Sequence, residues 1–207
     1  TSLTFLSFRD NQLTSIDLSQ NNLLESLLCN YNQISSLDLA QNNSLKNLYC
    51  ESNQFASLDL SQNTALTHLN CSNNQISSLD MSQNTALSLF YIQNNQIVNL
   101  DLRLNTALIN FKCQGNQLTN LDLRNGNNIN SGIFEANNNS ILNCISVDNA
   151  TWATANWTNI DAHTIFSDDC ASYVSLDADF SSDATSVCEA TTVTFTDAST
   201  GSAGITS

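Results

Sequence analysis

A solenoid carrying a short parallel β-sheet along one face is the fold this sequence predicts, and three observations predict it. The first is a framework about 21 residues long that returns in register as far as residue 138. One copy reads Asn53-Gln54-Phe55-x-x-Leu58-Asp59-Leu60-Ser61-Gln62-Asn63-x-x-Leu66-x-x-Leu69-x-Cys71. Others begin at Asn11, Asn32, Asn74, Asn95 and Asn116. The second is the alternation within each copy, as in Leu69-x-Cys71, which is the period of an extended strand with one face buried. The third is the Asn that follows each of these strands at a fixed distance. A unit this small cannot bury its apolar face alone, so the copies must stack.

Each copy accounts for one coil. The alternating pair faces inward, and strands from successive copies lie about 4.8 Å apart. The Asn ladder from Asn11 to Asn116 closes the turn after each strand, because an amide satisfies backbone groups that a tight turn leaves free. The Leu-Asp-Leu/Met segment then reads as an extended run on the other side of the coil, apolar residues in and Asp out. The inner strand position is Cys in Cys29, Cys50, Cys71 and Cys113, and Phe8, Ile92 and Ala136 fill it elsewhere. That exchange marks a slot for a compact hydrophobe. Parallel inward thiols with no accompanying His do not converge as tetrahedral zinc requires, and buried thiols pack as small apolar groups.

The Asp column (Asp17, Asp38, Asp59, Asp80, Asp101, Asp122) poses a charge problem. Like charges about 5 Å apart repel by roughly 0.8 kcal/mol per neighbouring pair even in water. Backbone N–H donors, Ser hydroxyls such as Ser36 and Ser57, or cations must offset this. Calcium is the one cofactor this leaves open, although a single column does not supply its six to eight oxygens; otherwise no cofactor is expected.

The segment Leu66-x-x-Leu69-x-Cys71-x-x-Asn74 resembles a leucine-rich repeat, of the 21-residue cysteine-containing type seen in internalin J-like bacterial surface proteins. The resemblance covers roughly residues 1 to 140. It implies that the outward strand residues line a concave face. One such column is Phe5, Ser26, Asn47, His68, Leu89 and Asn110; the next is Ser7, Leu28, Tyr49, Asn70, Tyr91 and Lys112; a third is Arg9, Asn30, Glu51, Ser72, Gln93 and Gln114. These columns vary while the framework stays fixed, as an adaptable binding face would. The ligand-binding candidates are Tyr49, Tyr91 and Leu28 at the centre, with Phe5, Tyr31, His68 and Leu89 around them.

Composition narrows the partners. The net charge is −14 and only five residues are Lys or Arg, so no basic stripe exists for nucleic acid or for an anionic membrane surface. No apolar run approaches the roughly 18 residues a membrane span needs. Thr1-Ser2-Leu3 aligns with Thr64-Ala65-Leu66, so the chain opens inside a repeat and further repeats are expected upstream.

After Asn116 the register slips, and an insertion from Asn125 to Ser131 marks a loop near the last coil. Residues 139–174 read as a C-terminal cap, with Trp152 and Trp157 placed to cover the end of the core. Cys144 and Cys170 lie outside the ladder, bracket this segment and are expected to form a disulfide, which suits an oxidising location. From residue 175 to 207 the chain resembles the first strands of a PKD-type immunoglobulin-like sandwich, incomplete at Ser207, with Cys188 lacking a partner.

These readings point to a secreted or outer-surface recognition and adhesion module whose partner is an extracellular protein or glycan, with no nucleic acid and no membrane insertion. The resemblance implies export to the outer surface of a gliding-type Gram-negative bacterium. No nucleophile elbow, phosphate loop or metalloprotease helix is present, so catalysis is not expected. A structural stalk or filament protomer, with self-assembly, is the competing class; a non-catalytic accessory region of a secreted polysaccharide-degrading enzyme is a third.

Overall fold

The computed structural model describes residues 2–172, together with the backbone of two short strands at 180–182 and 195–197. Where two apolar residues alternate, three-residue strands form: β1 (Phe5–Ser7), β2 (Ser26–Leu28), β3 (Asn47–Tyr49), β4 (His68–Asn70) and β5 (Leu89–Tyr91). With β7 (Asn110–Lys112) and β9 (Ile133–Glu135) they make one parallel sheet, ordered β1-β2-β3-β4-β5-β7-β9. The register is in phase with the repeat, so Leu27, Leu48, Leu69, Phe90 and Phe111 stack in one buried column.

The opposite side carries β6 (Asn99–Asp101), β8 (Asn120–Asp122), β10 (Cys144–Ser146) and β11 (Ile165–Ser167), ordered β11-β10-β8-β6. The cap segment thus continues the solenoid: Ile145 sits beside Leu121 and Phe166 beside Ile145. The insertion becomes a short 3-10 helix, Asn128–Asn130. One seven-residue helix, α1 (Ala150–Asn156), is capped by the Asn149 side chain and crosses the end of the last coil. Trp157 packs on Phe134 at 4.1 Å and Trp152 stands edge-on to Trp157 at 5.6 Å, closing the core where it would otherwise face water.

Two amide ladders tie coil to coil. In the turn after β2, Asn32 donates to the carbonyls of Cys29 in its own coil and Phe8 in the coil before, and accepts from the Leu13 N–H. Asn53, Asn74, Asn95 and Asn116 repeat the pattern. The second ladder, Asn42, Asn63, Asn84 and Asn105, is fully buried on the return side of the coil. Each of its amides donates to two carbonyls of the preceding coil, as Asn63 does to Leu39 and Asn42 at 3.2 and 3.0 Å. Removing water from that many backbone groups is tolerable only because each finds a partner.

The cysteine column is fully buried and its thiols are free. Burial pushes Cys29 and Cys71 up to about 12, with Cys50 and Cys113 also raised, so these thiols stay protonated and inert at neutral pH.

Every turn after a strand of the seven-stranded sheet uses one left-handed residue: Asp10, Tyr31, Ser52, Asn73, Asn94, Gly115 and Asn138, with φ between 54° and 69°. Asn and Gly tolerate this conformation; Tyr does not. Tyr31→Asn, which copies Asn73, Asn94 and Asn138 of the same column, is therefore expected to stabilise the chain by about 1 kcal/mol, read as a higher urea midpoint. A Cβ at Gly115 would meet Asn94 Oδ1 and displace that side chain, a second reason for glycine here.

Residues 171–207 form a separate unit, in which β12 (Phe180–Ser182) pairs antiparallel with β13 (Phe195–Asp197). The rest of the expected sandwich, Cys188 included, lies outside the described residues.

Candidate functional site

The outward columns of the parallel sheet are the first candidate surface. In the column on the near side of each strand, Phe5, Ser26, Asn47, His68, Leu89 and Asn110 lie side by side; in the far column, Ser7, Leu28, Tyr49, Asn70, Tyr91 and Lys112 do. Leu28 and Tyr49 are neighbours, and so are His68 and Leu89. Tyr91 shares β5 with Leu89 and lies two strands from Tyr49, roughly 10 Å away, with Asn70 between them. Leu28, Tyr49, His68, Leu89 and Tyr91 are all half-buried.

Two candidates stand apart from this group. Phe5 is 56% exposed on the edge strand β1, three strands from His68. Tyr31 is 53% exposed and belongs to the turn after β2, not to a strand column.

The third expected outward column is corrected by the structure. Arg9 is exposed, but Asn30 and Ser72 are buried and Glu51, Gln93 and Gln114 are half-buried. Neighbouring side chains cover these groups: the Ser72 hydroxyl donates to Asn70 Oδ1 and Gln114 Nε2 donates to Glu135 Oε2. Burial consequently raises the Glu51 carboxyl above its ordinary value.

Local contacts fix several side chains of the face. His68 Nδ1 lies 2.9 Å from Thr67 Oγ1, which itself donates to the Lys46 carbonyl. Asn70 Oδ1 accepts from the Ser72 hydroxyl at 2.8 Å. Lys112 Nζ sits 5.5 Å from the Tyr91 ring centroid and 2.8 Å from Glu135 Oε1, so one side of Tyr91 faces a cation already held by a carboxylate. Half the surface, from β2 to β4, is thus uncharged, while β7 and β9 bear a Lys–Glu pair. Sequence spacing located both columns but not this pair, which depends on rotamers.

On the opposite face, each Asp of the ladder accepts from the N–H two residues on, as Asp59 does from Ser61 at 3.0 Å. The hydroxyls that assist belong to Ser19, Ser61 and Ser82, not to Ser36 or Ser57. Arg103 and Arg124 replace Ser in the last two copies and fork onto Asp101 and Asp122, with contacts of 2.7 and 2.6 Å. Among the described residues, no three His, Cys, Asp or Glu side chains gather as metal ligands would.

These carboxylates set a pH profile. The Ser backbone N–H groups hold Asp17, Asp59 and Asp80 below the usual carboxylate range, and the Arg103 side chain does so for Asp101. A depressed acid contributes stability above its unfolded value, here near 3.8, and loses it as pH falls through the folded value. Glu51 has the opposite sign: its burial penalty is absent below 4.5 and grows as pH rises through its raised folded value. The thermal midpoint is therefore expected to fall on acidification below about pH 3.8, and Glu51→Gln is expected to raise it at pH 7 but not at pH 4.

No protein-family model and no curated protein matches the chain. Solved structures do. The functional domain of InlJ from Listeria monocytogenes, described as including a cysteine ladder, is 31% identical over 70% of this chain, with a TM-score of 0.58. The match spans 39% of that domain's length. Internalin C2 from the same species is 19% identical, covers 79% of this chain and 80% of its own, and has a TM-score of 0.60. The leucine-rich repeat domain of APL1B is 22% identical over 70% of this chain and 45% of its own, with a TM-score of 0.56. The last two bear on fold alone. In fold, the chain is a leucine-rich repeat solenoid with an internal cysteine ladder.

Proposed function

We propose that this chain is an extracellular or cell-surface recognition and adhesion module, without catalytic activity, that binds a protein or glycan through its concave face. The observation that carries this reading is the contrast between a fixed framework and the variable, half-buried Leu28, Tyr49, His68, Leu89 and Tyr91 beside open amides. Amphipathic rings such as those of Tyr49 and Tyr91 give contact area at low entropic cost, and sugars and protein loops both use them. Likeness to the functional domain of InlJ supports the same class, and a disulfide within the last coils suits an oxidising compartment. No helix among the described residues is long and apolar enough to cross a membrane.

The test is a screen of the folded chain against immobilised extracellular-matrix proteins and a glycan array. Saturable binding supports the proposal. A folded chain that binds nothing in either panel moves the reading to the structural stalk.

A further inference from the structure

The concave sheet is hydrogen-bonded at both ends of every strand until it reaches β9. Ahead of the strands, each coil offers a carbonyl to the next: Thr4 to Glu25, Glu25 to Lys46, Lys46 to Thr67, Thr67 to Ser88, Ser88 to Ile109, Ile109 to Gly132. Behind them, Phe8, Cys29, Cys50, Cys71, Ile92 and Cys113 each donate an N–H to the next coil, and Ala136 extends that series to the Asn159 carbonyl at 2.9 Å. The leading series stops one coil sooner. The Gly132 carbonyl has no backbone partner among the described residues, because the two residues placed to answer it, Asn156 and Trp157, end α1, and the Trp157 N–H donates to Ala153 at 2.8 Å.

Phe134 shares this fate. In a parallel pair alternate residues bond to opposite neighbours. Glu135 accepts from Cys113 on the β7 side, whereas Ala136 donates to the far side. By that alternation the Phe134 N–H and C=O also point to the far side, where no strand lies. The ladder is closed at Ala136 and open from Gly132 to Phe134.

The opening is a groove of about 340 Å³, walled on one side by Gly132, Ile133 and Glu135 and on the other by Trp152, Asn156 and Thr158. Trp157, flat on Phe134, forms its floor, and the half-buried Trp152 forms its wall.

We propose that this groove takes an extended peptide segment that adds to β9 as the missing strand. Its backbone would pair with Gly132 and Phe134, and one apolar side chain would lie against Trp152 and Ile133. The open backbone groups single out a peptide. A glycan can stack on Trp152, but it has no strand-spaced donors and acceptors for β9. The chain's net charge of −14, with Glu135 and Asp161 near this end, favours a segment free of acidic residues. This site is separate from the aromatic face proposed above and does not rest on it.

The experiment uses the whole chain and a displayed library of linear peptides roughly nine residues long, with selected sequences made synthetically. In the free protein, the Phe134 amide is expected to exchange its hydrogen more than about tenfold faster than the Phe111 amide. Bound peptide should protect Phe134 to a similar extent. Binding should be lost in Thr158→Trp, which fills the mouth of the groove, and in Trp152→Ala, and when alternate peptide nitrogens are methylated. It should survive Tyr49→Ala/Tyr91→Ala. Thr158 is exposed, so its variant carries the test if Trp152→Ala fails to fold. A library that yields no binder, peptides that leave Phe134 exchange unchanged, or peptides that bind Thr158→Trp as well as wild type would each overturn the proposal. Protection of Phe134 by an oligosaccharide in place of peptides would overturn it in favour of a glycan.

Discussion

Asn53→Ala is expected to destabilise the chain by roughly 4 kcal/mol, seen as a large fall in the urea midpoint. The Asn53 amide is 9% exposed and works in both directions. Its Nδ2 donates to Cys29 in the preceding coil and to Cys50 in its own, at 3.0 and 3.2 Å, and its Oδ1 accepts from the Ile34 N–H at 3.0 Å. Truncation strands one buried N–H, that of Ile34, and takes one of two bonds from each of the Cys29 and Cys50 carbonyls, which Asn32 and Asn74 still serve. The stranded group costs about 1–3 kcal/mol and each lost bond about 1 kcal/mol more. The loss should not stay local, because two of these bonds, to the Cys29 carbonyl and from the Ile34 N–H, join neighbouring coils and a solenoid's stability is a sum of such interfaces. Asn53→Asp keeps the shape and the acceptor but aims a carboxylate at two carbonyls; it is expected to be at least as damaging at pH 7 and to recover partly as the acid protonates. A cost below about 1 kcal/mol for Asn53→Ala would mean that the ladder does not hold the coils together.

The second large effect is expected at the disulfide. Cys144 and Cys170 are joined across 26 residues with their Cα atoms 5.7 Å apart. A loop of that length constrains the unfolded chain by about 3.5 kcal/mol in the chain-entropy account, so Cys144→Ser/Cys170→Ser should lose an amount of that order. The location of the loss is specific. The bond ties β10 to the short 3-10 helix after β11, and so pins Phe166 and Trp157 over Phe134. Both tryptophans lie in this last part of the solenoid. In the variant, tryptophan fluorescence should therefore change at lower urea than far-ultraviolet circular dichroism, which averages over all coils. Coincident transitions with an unchanged midpoint would contradict this account of the cap.

Much of this fold is legible in the sequence because the framework residues answer to one requirement each. An inner strand position needs a compact hydrophobe, so Cys29, Cys50, Cys71 and Cys113 betray it by exchanging with Phe8 and Ile92. A turn that must satisfy carbonyls and an N–H needs an amide, so Asn32 and Asn53 betray that. The second ladder at Asn42, Asn63, Asn84 and Asn105 carries the same signal, an Asn at one position of four successive copies. Beside Gln, Ser and Thr, however, it reads as polar surface, and only the structure shows it fully buried. The left-handed column is harder still. It constrains φ and not chemistry, so Asp10, Tyr31, Ser52 and Gly115 share it without a common letter.

The same reasoning divides the candidate face. Alternation along a strand and register between copies place Leu28 beside Tyr49 and His68 beside Leu89. They do not foresee that Asn30 and Ser72 are buried one step later, nor that Lys112 reaches across to Tyr91. The continuation of the second sheet into β10 and β11 is hidden by the insertion at 125–131, which breaks the period just before the strands that complete it.

The most direct test of the central claim compares the affinity of a screened protein or glycan for wild type with its affinity for Tyr49→Ala/Tyr91→Ala. Ser57→Ala/Ser78→Ala, on the opposite side of the coil, serves as the control, and circular dichroism verifies that both variants are folded. The account predicts a loss of tenfold or more in the tyrosine variant, about 1.4 kcal/mol or greater, with the serine variant unchanged. Equal affinity for wild type and the tyrosine variant, or loss only in the serine variant, would contradict it and move the working surface off the concave face.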